Sequence, residues 1–347
     1  MDHKDRGERH TLDSADVGHR VVVRRYVGVG PSGRPLLSDI LGELVAADAD
    51  RLLVRAEDGS EHAIAAGDVA AANRVGPRPA RYSEIADLER VADEAWPAPV
   101  RERLGDWALR AAEGWTNRAN SALPLGDPGM AIDDAIAACA AWYRRIGLMP
   151  RITVPLPLRR DVADALADLG WHAQPVVLVQ TLRLLARTSL VSPDDAASGA
   201  GSLVRLELAP SAHFLAVARA RKAALPDSAY QVLTGPPHVR FAEVRGDDGA
   251  LLAMARGAVV RDWLHLGLVE VKETARRRGH ATRVSLALME WARSAGATRA
   301  FLQVEAANET AVALYGGLGF STHHHYVTYA LRHSSRSADV DSVEARV

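Results

Sequence analysis

The first part of the chain alternates apolar and polar positions with the period of two that is typical of β-strands. Residues 19–28, HRVVVRRYVG, form one strand candidate, and residues 38–75 contain three more. Asp58 and Gly59 form a two-residue turn between two of these strands. Because four or five short strands fall within one small segment, we predict a β-barrel of the SH3 or Tudor type over residues 17–75, preceded by a disordered lead at residues 1–16.

After a Pro- and Gly-rich linker at residues 76–81, helical spacings of apolar residues alternate with short strand-like runs. One section of this kind extends to residue 190, a second linker occupies residues 192–202, a further section covers 203–332, and a polar, disordered tail follows at 334–347. We predict helices at residues 82–96, 100–114, 130–147, 159–171, 211–225, 281–292 and 308–319. We predict strands within 114–129, at 150–156, 174–185 and 202–209, as three antiparallel strands within 239–271, and at 299–305 and 323–332.

The two helix-and-strand sections repeat each other at a constant offset of 149 positions. At this offset Trp142 falls on Trp291 and Gly170 falls on Gly319, and helices and strands stay in phase. A duplication explains such a register better than chance does. One position out of this register, the earlier copy has GDPGMA where the later copy has RRRGHA, so a glycine remains but the arginines are gone. If the arginines carry chemistry, only the later copy should keep it.

The later copy places Arg276, Arg277, Arg278 and Gly279 where a strand leads into a helix that begins near Ala281. Cations at a helix N-terminus oppose the helix dipole, so three of them there require an anion. Free backbone N–H groups and a glycine at this position form a phosphate-binding loop. The other interpretation is a basic helix start on a solvated face. The arginine loop itself contains neither a Gly-x4-Gly-Lys-Ser/Thr nor a Gly-x-Gly-x-x-Gly motif, which argues against a nucleoside triphosphate at this site.

These residues resemble a known family. Residues 276–281 fit the Arg/Gln-x-x-Gly-x-Gly/Ala motif of the GNAT superfamily of acyl-CoA-dependent N-acetyltransferases. A second family signature, Asn-x-x-Ala-x-x-Leu-Tyr-x-x-x-Gly-Phe, is matched by Asn308, Ala311, Leu314, Tyr315, Gly319 and Phe320. One departure is Glu273, where members often carry proline. The domain order, a small barrel followed by two similar helix-and-strand sections, resembles that of actinobacterial histone-acetyltransferase-like proteins.

The resemblance implies an α/β (α+β) fold: a tandem of GNAT halves with a mixed, mostly antiparallel sheet flanked by helices, after the small barrel. Residues 82–190 would be a degenerate half and residues 203–332 the catalytic domain. Acetyl-CoA would lie between the strands LGLVEV and AFLQVE, with its diphosphate on the amides of residues 277–282. The implied cofactor-binding residues are Val269, Val271, Arg276, Arg277, Arg278, Gly279, His280, Ala281, Thr282 and Asn308. Asn308 is also a typical helix N-cap, and that role alone explains it.

The resemblance further implies direct attack of an amine on the thioester, which needs one proton acceptor and one proton donor. Tyr315 is the implied acid, although it also suits a core aromatic. For the base, His265 shares a strand face with Gly267, Val269 and Val271, and a core histidine is the alternative. Glu270, which strand alternation places on the opposite face, and Glu305 on the next strand are the other candidates.

Composition narrows the choice of function. The formal net charge of −1 makes a nucleic-acid partner unlikely, and no apolar run is long enough for a membrane span, so we expect a cytoplasmic protein. The sequence has a single cysteine, Cys139, which we predict to be a core residue, so an internal disulfide is excluded. The triplet His323–His325 cannot converge on one metal ion because neighbouring strand residues alternate faces, so we expect no metal. The polar segment 115–121 lines the cleft or stabilises a seam between halves.

Three functions remain open at this point. The first is an acetyl-CoA:amine N-acetyltransferase whose acceptor is a small amine, a protein N-terminus or a lysine side chain. The second is a non-catalytic CoA-binding regulator. The third uses the barrel as a nucleic-acid or protein reader that brings the acetyl donor to a lysine of a large partner. The sequence does not distinguish between these acceptors, because acceptor pockets form from variable loops.

Overall fold

The computed structural model describes residues 12–56, 58–76, 78–184, 204–220 and 225–331. The chain divides into two compact units, Met1–Arg78 and Pro79–Val347. The predicted second linker at 192–202 and the tail at 334–347 lie outside the described residues. The prediction of a disordered lead is wrong for its last residues: Leu12 is buried in the core of the first unit, and Ser14–Asp16 form a 3-10 turn capped by the side chain of Asp13.

The first unit is one antiparallel sheet with the strand order β4-β3-β2-β1-β5. Its strands are β1 Arg20–Val29, β2 Pro35–Ala47, β3 Arg51–Ala56, β4 Glu61–Ala65 and β5 Val69–Arg74. Alternate residues such as Val21, Val23, Leu44 and Val54 point into a common core, as the period-two pattern predicted. The five strands agree with the predicted number, and the assignment to the SH3 or Tudor type stays a prediction.

The second unit is built on a nine-stranded sheet. Its strands run in the order β11-β12-β13-β14-β15-β10-β16-β8, and β9 pairs with β16. The bounds are β8 Arg151–Leu156, β9 His172–Ala173, β10 Val177–Arg183, β11 Arg205–Glu207, β12 His238–Arg245, β13 Leu251–Val260, β14 Trp263–Val271, β15 Arg299–Glu305 and β16 Ser321–Ala330. The helices are α1 Tyr82–Ala95, α2 Ile132–Arg145, α3 Arg160–Asp168, α4 Ala212–Ala220, α5 Asp227–Thr234, α6 His280–Ser294 and α7 Glu309–Gly317.

One predicted helix is wrong. Residues 100–114 form a separate hairpin of β6, Val100–Leu104, and β7, Trp107–Ala111. Its two-residue turn contains Gly105, whose φ of 55° suits glycine and would strain any other residue. Arginine, leucine and alanine favour helices locally, but the turn and the burial of Trp107 against the core decide the outcome. The strand expected within residues 114–129 is reduced to isolated bridges, and the short helix α5 was not predicted.

The repeat at offset 149 is visible in the positions of the elements. Helix α3, Arg160–Asp168, shifted by 149 positions becomes residues 309–317, which are the bounds of α7. The last strands of the two copies are exchanged: β10 of the earlier copy pairs with β15, and β16 of the later copy pairs with β8. The two copies therefore share one continuous sheet, and each one depends on the other for a central strand.

Within the described ranges, no helix combines the length and apolar character needed to cross a membrane.

Candidate active site

The candidate site lies where two parallel strands separate. Strands β14 and β15 pair from Trp263–Arg299 to Leu266–Leu302, and the pairing ends there. Just beyond this point β14 contains a bulge, in which Leu268 and Val269 lie opposite Ala255 of β13. Leu268 has a φ of 52°, which is uncommon for a residue with a side chain. The bulge bends β14 away from β15, and a cavity of about 380 Å³ opens beside the two strand ends.

The bulge also changes which side chains share a face. His265, Gly267 and Glu270 pair with Ala258, Arg256 and Met254, which lie on one face of β13. Glu270 therefore joins the face of His265, contrary to the prediction from simple alternation. Val269 and Val271 leave that face and pack in the core against α6. The extra residue in the bulge reverses the parity of every position after it.

Five of the predicted site residues lie on the wall of this cavity. They are Val269, Glu270, Glu305, Asn308 and Tyr315. The earlier copy supplies a second part of the wall, with Trp96, Trp115, Thr116, Asn117 and Arg118. Residues 115–118 of the polar segment line the cavity, which is one of the two roles left open for it, whereas Asn120 and Ser121 are buried in hydrogen bonds within the earlier copy.

Tyr315 is both a core residue and a wall residue. It is buried at 7% exposure, makes an edge-to-face contact with Phe320 at 5.9 Å, and reaches the cavity from α7. Helix α7 is fixed by Asn308, whose side chain accepts a hydrogen bond from the Ala311 N–H at 3.1 Å. The capping role predicted for Asn308 is confirmed, and the same residue faces the cavity.

The arginine loop lies past the end of β14, outside the cavity wall. Gly279 is the N-cap of α6 with a φ of 73°, and Arg277 also has a positive φ of 62°. The first hydrogen bond of α6 runs from the Arg283 N–H to the Gly279 carbonyl at 3.0 Å, so the N–H groups of residues 280–282 have no acceptor within the helix. This loop and helix start present backbone donors and positive charge together.

His280 adds a polar atom to this loop. Its side chain is 8% exposed, and its buried Nδ1 has no hydrogen-bond partner among the described residues. Burial, and then the charges of Arg283 and Arg278, lower the pKa of His280, so the ring stays neutral. A buried donor or acceptor without a partner is costly in a folded protein. An anionic ligand at the loop fits this arrangement.

His265 occupies a different environment from the one a general base needs. It is 1% exposed, and its ring stacks on Phe301 at 4.9 Å. Its Nε2 lies 3.3 Å from Arg118 and its Nδ1 lies 3.4 Å from Arg256. Burial, and then the two guanidinium charges, hold the pKa of His265 well below its ordinary value. The ring therefore stays neutral and behind the cavity wall, which matches the core-histidine alternative.

Sequence reasoning missed the cluster around Trp96. Arg118 and Arg256 lie over the Trp96 ring at 4.8 and 4.9 Å, and Trp115 stacks on it at 5.6 Å. Arg256 is fully buried and donates to the carbonyls of Leu233 and Ala95 at 2.8 and 3.1 Å. Burial, and then the charge of Arg118, lower the pKa of Arg256 to about 9. The arginine in the apolar strand sequence LLAMARGAVV is a signal for a buried cation, although it does not identify Trp96 as the partner.

The histidine triplet separates only in part, because His323 lies at an irregularity of the β10–β16 pairing and its Nδ1 is 2.8 Å from Nδ1 of His324. His324 is buried, with its Nε2 2.9 Å from Glu89, whereas His325 lies on the other face of β16. Among the residues that the structure describes, no cluster of three or more His, Cys, Asp or Glu side chains is arranged to hold a metal ion.

Comparison with known proteins gives the class of this molecule. A solved GCN5-related N-acetyltransferase from Kribbella flavida superposes with a TM-score of 0.54 at 16% identity, covering 71% of this chain and 95% of that chain. At this identity the similarity shows the fold alone. The mixed, mostly antiparallel sheet flanked by helices is therefore a GNAT-type fold.

The sequence relatives identify the family. The "Probable histone acetyltransferase Rv0428c" of Mycobacterium tuberculosis is 31% identical over 320 residues, covering 89% of this chain and 93% of that protein. The "Uncharacterized N-acetyltransferase YobR" of Bacillus subtilis is 30% identical over 249 residues, covering 70% of this chain and 98% of that protein. The family model "Probable histone acetyltransferase Rv0428c C-terminal" matches residues 82–329. The chain belongs to this family and is an acetyltransferase of the GNAT superfamily, which confirms the predicted resemblance.

Proposed function

We propose that the protein transfers an acetyl group from acetyl-CoA directly to a primary amine, without a covalent enzyme intermediate. The observation that carries this proposal is the cavity between the diverging ends of β14 and β15, with the Tyr315 side chain on its wall. The lone cysteine, Cys139, is fully buried in the core of the earlier copy, and burial raises its pKa to about 12. A thiol held protonated in this way is a poor nucleophile, which favours direct transfer.

Acetyl-CoA, when bound, supplies the activated acetyl group. Residues 276–282 would hold its diphosphate through backbone N–H groups at the start of α6 and through the arginine side chains. The unpartnered Nδ1 of His280 and the positive φ of Gly279 support this assignment. The exposed backbone of Val269–Val271, where β14 has left β15, would pair with the pantetheine amides.

Two proton transfers then fall to side chains on the cavity wall. We assign Tyr315 as the donor to the leaving thiolate, because this tyrosine lines the cavity from a helix fixed by Asn308. We assign proton removal from the ammonium to Glu270 or Glu305, both of which line the cavity. His265 is not given this role, since a buried imidazole beside two guanidinium groups resists protonation.

We further propose three domains. Residues 17–75 form an SH3-like domain, residues 82–190 a degenerate GNAT half, and residues 203–332 the catalytic half. The matching bounds of α3 and α7 support the duplication, and the restriction of the arginines to the later copy supports one active half. The acceptor is a protein lysine, a protein N-terminus or a small amine. Two carboxylates on the cavity wall suit any of these cationic groups.

The direct test is thiol release from acetyl-CoA in the presence of a panel of amines, peptides and proteins. Tyr315→Phe keeps the ring but removes the hydroxyl, so we expect kcat to fall about 100-fold while coenzyme A binds as before. Tyr230→Phe, at a half-exposed position on α5, is the matched control and should leave kcat unchanged. Glu270→Gln and Glu305→Gln identify which carboxylate is the base. Binding of coenzyme A without turnover of any amine would instead support a CoA-binding regulator.

A further inference from the structure

A row of hydrogen-bonded side chains connects the interior of the second unit with its surface. Glu89 of α1 and His324 of β16 are each 4% exposed, and His324 Nε2 lies 2.9 Å from Glu89 Oε1. The other ring nitrogen of His324, Nδ1, lies 2.8 Å from Nδ1 of the half-buried His323. The His324 imidazole is therefore hydrogen-bonded through both nitrogens, with a carboxylate on its inner side and a second imidazole on its outer side.

Glu89, at the inner end of this row of side chains, adjoins the candidate active site. Glu89 lines a void of about 10 Å³, which is near the smallest space that holds one water molecule. Four residues of the void wall also line the main cavity, namely Trp96, Arg118, Gln303 and Tyr326. A single water in the void would thus link Glu89 to the layer of side chains that bounds the main cavity.

A second carboxylate, Asp93, lines the same void but is fixed as an anion. It is ion-paired with Arg110 at 3.0 Å and with Arg101. Burial raises the pKa of Asp93, but the two guanidinium groups outweigh burial and lower it overall. Glu89, by contrast, is bonded to an imidazole, a group that accepts a proton at one nitrogen and releases one from the other. Of these two carboxylates, Glu89 is the one suited to pass a proton on.

The proposed reaction releases one proton in every turnover. When an ammonium acceptor is acetylated, a C–N bond forms and the C–S bond breaks. The ammonium loses two protons, of which the thiolate takes one, and the second must leave the site. The donor and acceptor would occupy the cavity through which bulk water otherwise reaches the reacting groups. A separate exit through the protein would keep the reaction moving under these conditions.

We propose that Glu89 and His324 form this exit, so that the released proton passes from the base through the hydroxyl of Tyr326, which lines both the cavity and the void, to a water in the void, then to Glu89, into His324 at Nε2, and out from Nδ1 to His323. The inference rests on the proposed acetyl transfer. Glu89 and His324 touch neither substrate, so they are proton-relay residues rather than catalytic ones. Glu89 belongs to the earlier copy and His324 to the last strand of the later copy. The two residues come together because β16 pairs with β8 of the earlier copy.

The test uses Glu89→Gln and His324→Gln, which retain hydrogen-bonding groups but cannot relay a proton. We expect kcat to fall about tenfold or more with the KM for acetyl-CoA within about twofold, and we expect added imidazole to restore part of the loss. His172→Gln replaces an exposed histidine and should behave as the parent. Thermal unfolding of each variant shows whether the fold is intact, and either relay variant is sufficient if the other is unstable.

The outcomes separate the two proposals. Unchanged kcat in a folded Glu89 or His324 variant would overturn the relay and leave acetyl transfer standing. A loss confined to KM, or a loss of kcat that imidazole does not rescue, would mark a structural role and also overturn the relay. Failure of the parent protein to acetylate any amine would overturn the proposed function, and the relay with it.

Discussion

Replacing one loop glycine by alanine tests how the protein holds the diphosphate of acetyl-CoA. Gly279 has a φ of 73°, and a Cβ built at this position meets no atom within 4 Å. Gly279→Ala therefore changes the backbone preference without a clash. The earlier copy provides a matched control, since Gly129 has a φ of 75° and is equally open. The two substitutions make the same local change, but only Gly279 belongs to the loop that carries the arginines.

The expected cost in stability is small and equal in the two variants. Alanine in a left-handed conformation costs roughly 1–2 kcal/mol, and the stiffer unfolded chain offsets about 0.4–1 kcal/mol of this. A net loss of about 1 kcal/mol lowers the melting temperature of a unit of this size by about 2–4 °C. Thermal unfolding monitored by circular dichroism measures this loss and shows that both proteins remain folded at the temperature of the binding assay.

The expected cost in binding differs between the two variants. If alanine turns the loop amides away from the diphosphate, one charge-assisted hydrogen bond of about 1.5–3 kcal/mol is lost, which weakens coenzyme A binding about 10- to 100-fold. Gly129→Ala should leave the affinity unchanged. Isothermal titration with coenzyme A measures both. Equal affinity for the parent and Gly279→Ala, or an equal loss in both variants, would refute the assignment of the loop.

Two further predictions concern the hairpin and the buried histidine. At Gly105 a Cβ would lie 2.5 Å from the Asp127 carbonyl oxygen, so Gly105→Ala should lower the unfolding free energy by about 2–4 kcal/mol. Gly114→Ala is the control and should lower it by about 1 kcal/mol, because the atom nearest to its Cβ is 3.8 Å away. Equal losses of the two variants in urea titrations would contradict the packing described. Below its ordinary pKa of 6.5, His265 binds a proton in the unfolded chain but not in the folded one, because burial and two neighbouring arginines lower its folded pKa. Stability therefore falls as pH drops below 6.5, and this histidine accounts for about 1.4 kcal/mol of the loss at pH 5.5. His265→Asn should lose that much less stability than the parent between pH 7.5 and 5.5, and an unchanged pH dependence would show that the ring is protonated in the folded protein.

Local signals in the sequence were sufficient for much of the fold and for one end of the candidate site. The three antiparallel strands β12, β13 and β14 were predicted, as was the glycine at the start of α6. Asn308 was also predicted as a helix cap, because a cap depends only on residues within one turn of the helix. The helix predicted at residues 100–114 failed because intrinsic propensity is weak, and packing of Trp107 overrides it.

The cavity wall could be predicted only in part. Tyr315 and Glu305 were found through the resemblance, whereas Trp96 and Arg256 were not, because they come together across 160 positions of sequence. No local pattern records that an arginine in one strand lies over a tryptophan at the end of a distant helix.

The alternating strands, the Asn308 helix cap and the arginine loop follow from residues that are neighbours along the chain, and the duplicated plan follows from comparing one part of the sequence with another. The side chains that share a face after the bulge at Leu268 are set by strand pairing in the folded protein, since one extra residue reverses the alternation. The contact between Glu89 and His324 likewise arises only in the folded protein. It depends on the exchange of last strands between the two copies, and neither strand sequence specifies its partner strand.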